Sequence, residues 1–304
     1  MKNPDGYLPA NERLNWSKIA AVSMVKDEGD IIGLNLEHLV RHGIKSFIIY
    51  DDGSKDNTLE EIEAVGSRHK DVKIVLVNYS NSFKKKADIL NALGILAQKL
   101  FEVEWIFAFD ADDFLFVAPG PRISLESKNL DYILLPWLHL QPDQFSADYI
   151  KQLAAANSVD SAIPHKFKAI VKLSNRTSIK SGQHHVINRG IRPAIGIDGA
   201  RAGMASVHFP IRTKSQFYEK FAVSPKPRKI DPDHGGKHRR QVNSTGKDRA
   251  SRLFDILIAR DVSAYENYCR DLGIAPETYD YMYELVRKDP VSFPSNTDLN
   301  SHSL

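Results

Sequence analysis

Cysteine is almost absent from this sequence: Cys269 is the only one among 304 residues, so no disulfide can form within the chain. No stretch approaches the roughly 18–20 consecutive apolar residues of a membrane-spanning helix. The opening residues 1–6 lack the apolar stretch of a secretory signal. These absences predict a cytoplasmic protein in a reducing compartment. Peripheral attachment to the inner face of a membrane stays open.

Excess charge of one sign is also scarce, since 41 Lys and Arg residues nearly balance 38 Asp and Glu residues and the net charge is +3. Segment 225–252 holds nine basic and three acidic residues, a net +6 that leaves −3 for the rest of the chain. It has no Phe, Tyr or Trp on which nucleic-acid bases could stack, which disfavours a nucleic-acid partner. The segment predicts either a solvated loop or a contact with an anionic diphosphate, phospholipid surface or lipid-linked acceptor.

The first 110 residues contain a regular alternation of apolar strands and helices. The predicted strands are 18–25, 46–50, 73–77 and 105–109, and the predicted helices are 31–40, 57–65 and 87–100. This order predicts a parallel sheet with right-handed crossovers. Later segments predict strands at 131–137, 167–173 and 205–209, and helices at 249–260, 262–272 and 276–287. The expected fold class is therefore α/β, with mixed strands completing the sheet.

The fourth predicted strand ends in three carboxylates, those of Asp110, Asp112 and Asp113. In open α/β sheets, ligands bind at the carboxyl ends of the strands. Neighbouring carboxylates repel each other unless a cation neutralises them, and hard divalent cations prefer oxygen ligands, so the segment predicts a metal site. Asp51 and Asp52 follow the second strand and are expected at the same edge of the sheet. We expect both turns to face one cleft that holds a phosphorylated ligand.

Three segments, in this order, resemble the family 2-type glycosyltransferases. Segment 22–32 resembles their opening strand, segment 50–58 their second-strand signature, and segment 109–115 their metal-binding Asp-x-Asp element. The similarity extends to a subgroup with an acid, Phe and Leu after this element, paired histidines and a late His-aromatic-Pro pattern. Residues 184–185 and 207–215 resemble these later features. The resemblance implies a GT-A (Rossmann-like) fold, in which helices flank a mostly parallel central sheet and a C-terminal helical extension follows.

The resemblance also implies an activity: metal-dependent, inverting transfer of a sugar from a nucleoside-diphosphate donor to a hydroxyl of a glycan or lipid-linked glycan acceptor. Synthesis of cell-surface polysaccharide or lipopolysaccharide is the expected setting, and a protein or small-molecule acceptor is the alternative. The expected division of the chain is a leader at 1–17, a catalytic domain at 18–222, a basic loop at 223–250, helices at 251–289 and a tail at 290–304. Within the catalytic domain, 18–120 would bind the nucleotide and 121–222 the acceptor.

By resemblance, a Mn²⁺ or Mg²⁺ ion would be held by Asp110, Asp112 and His208, with His184 and His185 as weaker candidates. The expected donor-binding residues are Val25, Asp27, Glu28, Asp51, Asp52, Lys86, Asp110 and Ala111. One of the lysines at 84–86, which lead a helix, is expected to approach the diphosphate, and the alternative for each lysine is a solvated face. Arg212 and Lys214 are expected to contact either phosphate or solvent.

The catalytic base is expected among Asp143, Asp113 and His139, because an inverting transferase needs a carboxylate or imidazole within reach of the acceptor hydroxyl. Two other functions compete with transfer. A metal-dependent phosphotransferase would use Asp110 as nucleophile in an Asp-x-Asp-x-Thr/Val motif, but the fifth position is Phe114. A GT-A-fold scaffold without activity is disfavoured by the intact acidic triplet.

Overall fold

The chain falls into two compact units in a computed structural model. The structure describes residues 15–78, 85–118, 130–140, 166–174, 177–180, 183, 186–188, 192–222 and 246–287. The first unit is drawn from 1–138, 150–207 and 293–304, and the second from 139–149 and 208–292. The domain boundaries expected from the sequence stay a prediction.

The first half of the first unit is a parallel α/β layer. Its strands are β1 (Ile19–Val25), β2 (Ser46–Asp51), β3 (Lys73–Asn78) and β4 (Trp105–Ala108), and its helices are α1 (Ile32–Arg41), α2 (Thr58–Arg68) and α3 (Lys86–Phe101). Strand β1 pairs in parallel with β2 and β4, and β2 pairs in parallel with β3. The alternation predicted from the apolar pattern is confirmed, with boundaries within three residues of those expected.

The second half of the sheet is mixed. Its strands are β5 (Asp113–Val117), β6 (Tyr132–His139), β7 (Phe167–Val171), β10 (Gly196–Asp198) and β11 (Met204–His208), while β8 (Thr177–Ile179) and β9 (Val186–Asn188) form a separate antiparallel pair. The order is β3-β2-β1-β4-β7-β6-β11-β5, with β10 beside β6. Strand β7 runs antiparallel to both β4 and β6. The α/β class with mixed strands is therefore confirmed.

The core of the parallel layer lies between the sheet and α3. All residues of β1 and β4 are buried, as expected for apolar central strands. Leu90 and Leu93 of α3 pack with Ile106 and Val171 in one cluster. A Cβ at Gly94 would lie 2.4 Å from Leu173, so a glycine here lets α3 approach the sheet closely.

The second unit contains the C-terminal helices. These are α4 (Lys214–Ala222), α5 (Gly246–Ala259), α6 (Val262–Asp271) and α7 (Asp280–Arg287), the last preceded by a 3-10 turn at Pro276–Tyr279. Their core includes Phe217, Leu253 and Tyr265. None of the helices in the described ranges has the length and apolar character needed to cross a membrane.

The buried His38 ties α1 to β5, and the partly buried His42, which directly follows α1, contacts His38. The Nε2 atom of His38 lies 2.6 Å from the carbonyl oxygen of Leu115, and the Nε2 atom of His42 lies 3.2 Å from that of His38. Burial is the main reason why the pKa of His38 falls to about 3 and that of His42 to about 4. Both imidazoles are therefore neutral in the folded protein at neutral pH.

These two pKa values predict a loss of stability in mild acid. Between pH 6.5 and 4 the unfolded chain binds protons at both histidines and the folded chain does not, so stability falls as pH falls. We expect the double variant His38→Asn, His42→Asn to lose about 3–4 kcal/mol less than the wild type between pH 7 and 5 in urea unfolding, because each histidine contributes nearly 2 kcal/mol. If both proteins lose the same free energy of unfolding between pH 7 and 5, the low pKa values of the two histidines are wrong.

Candidate functional site

Two acidic turns lie at the carboxyl edge of the parallel strands. Val25 at the end of β1 pairs with Asp51, and Val22 pairs with Ala108 near the end of β4. Because the three strands are parallel and β1 separates the other two, the turn after β2 and the turn after β4 are about 10 Å apart at one edge. The convergence predicted for these turns is confirmed.

The turn after β4 is closed by its own backbone. The amide of Asp113 donates to the carbonyl of Asp110 at 2.9 Å, and the amide of Asp110 donates to the carboxylate of Asp113 at 3.3 Å. Asp113 therefore begins β5 instead of lying in a loop. The side chains of Asp112 and Asp113 are buried, and each offers a carboxylate oxygen within 4.8 Å of the other. We call residues 110–113 the acidic turn.

Helix α1 and strand β1 hold the acidic turn in place. The Asn35 amide donates to the carbonyls of Ala111 at 2.9 Å and Asp113 at 2.8 Å. The Ser23 hydroxyl donates to the carbonyl of Phe109 at 2.8 Å. Asn35 was not among the predicted site residues. The available signal was a polar residue on the buried face of α1, where it lies next to Leu36 and is itself fully buried.

Two lysines offset most of the negative charge of the acidic turn. The Lys168 ammonium lies 2.9 Å from Asp110 Oδ2 and 2.8 Å from Asp113 Oδ2, and its side chain is 1% exposed. Lys86, at the start of α3, pairs with Asp110 Oδ1. Gln183 joins them, since its amide donates to Asp110 at 3.1 Å and its oxygen accepts from Lys168 at 3.1 Å. Three carboxylates and two ammonium groups leave the group with a net charge of about −1 when all are ionised.

The protonation states of Asp110 and Lys168 follow from these contacts. Burial acts to raise the pKa of Asp110, but the positive charges of Lys168 and Lys86 outweigh it and hold that pKa well below its ordinary value. Burial acts to lower the pKa of Lys168, but Asp110 and Asp113 outweigh it and raise that pKa. Both groups are therefore charged at neutral pH.

Trp137 completes the surroundings of Asp113. Its indole N–H donates to Asp113 Oδ1 at 2.7 Å, and the Lys168 ammonium lies 4.8 Å from the centre of its ring. Asp113 is fully buried and contacts Trp137, Lys168 and a backbone amide. A general base must reach the acceptor hydroxyl, so these contacts favour a positioning role for Asp113 over the predicted role of base.

The first carboxylate of the turn after β2 accepts hydrogen bonds from residues of the same turn. Asp51 accepts from the amides of Gly53 at 3.0 Å and Ser54 at 3.1 Å, and also from the Ser54 hydroxyl. Asp52 is 5% exposed, and its carbonyl accepts from the Lys26 ammonium at 3.1 Å. The sequence alone assigns Asp51 and Asp52 equally to the nucleotide, whereas the structure gives Asp51 a local structural role as well.

The loop after β1 is bonded to the turn after β2. Asp27, which has a φ of +52°, accepts from the Lys55 amide at 2.7 Å, and its own amide donates to Ser54 Oγ at 2.9 Å. The amide of Glu28 donates to Thr58 Oγ1 at 2.9 Å, and that of Gly29 donates to Asp56 at 2.9 Å. Predicted donor-binding residues in this loop thus also fix the shape of the edge. Val25 and Ala111, also predicted to bind the donor, are both buried.

Two other predicted residues, His139 and His208, lie in the second unit and contact each other. Their Nδ1 atoms are 2.8 Å apart, so one ring donates and the other accepts. If His208 donates, its lone pair is on Nε2, which is the usual arrangement of a metal-bound imidazole whose other nitrogen donates. The roles of both histidines stay predictions.

The remaining predicted residues divide into two groups. Arg212 is buried and donates to the carbonyl of Phe209 at 3.3 Å, and Lys214 pairs with Asp255 at 2.9 Å on the surface. Outside the described residues lie Lys84, Asp143, His184, His185, the leader up to residue 14, most of the basic segment and the C-terminal tail.

A glycine at position 29 is required by the contact between the two loops. A Cβ there would lie 2.2 Å from Asn57 Oδ1 and 3.0 Å from a backbone carbon. We expect Gly29→Ala to lower the free energy of unfolding by about 1–3 kcal/mol, measured by urea denaturation.

Gly66→Ala in α2 is the matched control, because its Cβ would meet only Ile74 at an ordinary 3.6 Å. It should be neutral or stabilise the protein by up to about 1 kcal/mol. Equal effects of the two substitutions would show that the loop contact is not tight.

Comparison with solved structures finds chains that are similar at low sequence identity. No protein-family model matches the chain, and no curated protein sequence matches it. A mannosyltransferase from Pyrobaculum calidifontis, solved with GDP-Man and Mn²⁺, is similar at 14% identity and a TM-score of 0.37, over 91% of this chain and 72% of that one. TarS residues 1–349 of S. aureus, solved with UDP, is similar at 12% identity and a TM-score of 0.39, over 88% and 91% of the two chains.

Glucosyl-3-phosphoglycerate synthase from Mycobacterium tuberculosis, solved with Mn²⁺, UDP and glucosyl-3-phosphoglycerate, is similar at 12% identity and a TM-score of 0.36. The similarity covers 75% of this chain and 77% of that one. The function proposed for this chain depends on its own residues.

Proposed function

We propose that the protein is a GT-A-type glycosyltransferase that takes a nucleoside-diphosphate sugar as donor and needs a divalent cation, Mn²⁺ or Mg²⁺. The observation that carries the proposal is the acidic turn, held at the carboxyl edge of a parallel sheet beside a second acidic turn. Open α/β sheets bind nucleotides at this edge. The sequence motifs that resemble family 2-type glycosyltransferases lie in the same two turns.

The chemistry of the acidic turn fits a divalent cation. Carboxylate oxygens are the ligands that Mg²⁺ and similar hard ions prefer, and those of Asp112 and Asp113 are close together. Asp112 is the proposed principal ligand, because segment 109–115 resembles the metal-binding Asp-x-Asp element. His208 is the proposed third ligand from the sequence pattern. When bound, the ion would supply positive charge to the diphosphate as the sugar is transferred.

The donor would be held by residues of the two turns and of α3. Asp52 and Asp110 are proposed to accept hydrogen bonds from the base or the ribose. Lys86 is partly exposed, with 25% of its side chain accessible, and lies in the first turn of α3. Its ammonium and the backbone amides of that helix terminus are suited to a diphosphate.

The proposed acceptor and catalytic base are inferred from the sequence. The net +6 of segment 225–252 supports an anionic or lipid-linked glycan acceptor and peripheral contact with an anionic membrane face. Asp143 or His139 is the proposed base, and an inverting reaction is proposed from the family resemblance.

The proposal predicts metal-dependent nucleotide binding that disappears on replacement of Asp112. UDP, GDP, CMP and dTDP would each be added with and without Mn²⁺, and the melting temperature measured. We expect one diphosphate to raise it by several degrees only with Mn²⁺, because a ligand of the folded state stabilises by mass action. Asp112→Asn should abolish the shift while the protein stays folded.

Asp71→Asn is the matched control, since Asp71 is an exposed carboxylate paired with Lys45 on the surface. It should keep the full shift. No shift with any nucleotide, or a normal shift in Asp112→Asn, would contradict the proposal. Binding without hydrolysis or transfer of the donor would favour the inactive scaffold instead.

A further inference from the structure

Lys168 is a buried charge at the centre of the acidic turn. It lies on β7, which is inserted antiparallel between β4 and β6. Its ammonium contacts Asp110, Asp113 and Gln183 and lies over the ring of Trp137. Its side chain is less exposed than that of Lys86, the other lysine of the group.

Removing this ammonium would destabilise the acidic turn. Asp110 and Asp113 are joined by a hydrogen bond from the backbone of one to the carboxylate of the other. Without Lys168, the fully buried carboxylate of Asp113 would lose the ammonium that lies 2.8 Å from it, while the Trp137 indole N–H would still donate to it. Breaking a buried ion pair by removing one partner is strongly destabilising. A divalent cation could offset the negative charge of these carboxylates as well, but only when it is bound.

We propose that Lys168 is a built-in counter-cation of the acidic turn: it keeps the turn folded when no divalent ion is bound, and it weakens the binding of that ion. The second half depends on the metal site of the proposed function. Because the ammonium and the ion repel each other, the ion binds weakly alone and tightly only with an anionic diphosphate. Lys168 therefore couples metal binding to donor binding.

The first test measures melting temperature in EDTA, without metal or nucleotide. We expect Lys168→Gln to lower it by about 10 °C. The double variant Asp113→Asn, Lys168→Gln should recover most of the loss, because the fully buried carboxylate that loses its ammonium is then replaced by a neutral amide. A packing role for the lysine stem would give no recovery. If Lys168→Gln does not fold, the double variant alone decides the matter by folding or failing to fold.

The second test measures Mn²⁺ binding by electron paramagnetic resonance of the free ion. We expect Lys168→Gln to bind Mn²⁺ at least about tenfold more tightly than the wild type in the absence of nucleotide. The added effect of a nucleoside diphosphate on that affinity should shrink. Purely structural damage would weaken Mn²⁺ binding instead.

Lys172→Gln is the matched control for both tests. Lys172 follows β7 directly, and its ammonium pairs with Glu104 at 2.8 Å, but the two side chains are 35% and 54% exposed. Exposed pairs of this kind contribute little, so the control should change neither melting temperature nor Mn²⁺ affinity appreciably.

The outcomes separate this proposal from the proposed function. If the melting temperature of Lys168→Gln in EDTA is unchanged, or if the double variant shows no recovery, Lys168 is not the counter-cation of the acidic turn. Recovery in the double variant, with no Mn²⁺ binding by the wild type even when a nucleoside diphosphate is added, supports the first half and contradicts the metal site. Unchanged or weaker Mn²⁺ affinity in a folded Lys168→Gln overturns the second half.

Discussion

The interaction on which the rest of the site depends is the buried contact of Lys168 with Asp110 and Asp113. Carboxylates this close to one another repel, and a buried turn that carries three of them needs a cation to stay folded. Lys168 supplies that cation from a neighbouring strand, and Lys86 adds a second from α3. The turn keeps a net negative charge for a ligand while its backbone is fixed by Asn35.

The sheet order explains why these groups meet. Strands β1, β2 and β4 run in parallel, so their carboxyl ends share one edge, and the antiparallel β7 then lies beside β4. That pairing carries Lys168 to the acidic turn, 58 residues away along the chain from Asp110. On the other side of β1, the loop after β1 and the turn after β2 are joined by side chain to backbone hydrogen bonds. An edge whose loops are joined by hydrogen bonds suits a ligand whose reacting atoms must be held in position.

Much of this fold could be predicted from local pattern alone, because apolar runs such as 105–109 and the helix period of 87–100 depend on neighbouring residues. The position of the two acidic turns at the same edge could also be predicted, because parallel strands in neighbouring positions end at one edge of the sheet. Lys168 could not be found in this way: one lysine in an apolar strand is expected to face solvent, and its burial depends on the antiparallel placement of β7. The structural role of Asp51 was within reach, because Asp followed by Gly and Ser is a familiar turn pattern.

The central claim is that the acidic turn binds a divalent cation together with a nucleoside diphosphate. Crystals grown with Mn²⁺ and the best-binding diphosphate, measured at the manganese absorption edge, test it directly. The account predicts an anomalous peak within coordination distance of an Asp112 carboxylate oxygen and of the diphosphate, with Lys168 still on Asp110 and Asp113. A nucleotide bound without manganese at the turn, or manganese located only elsewhere, would contradict it.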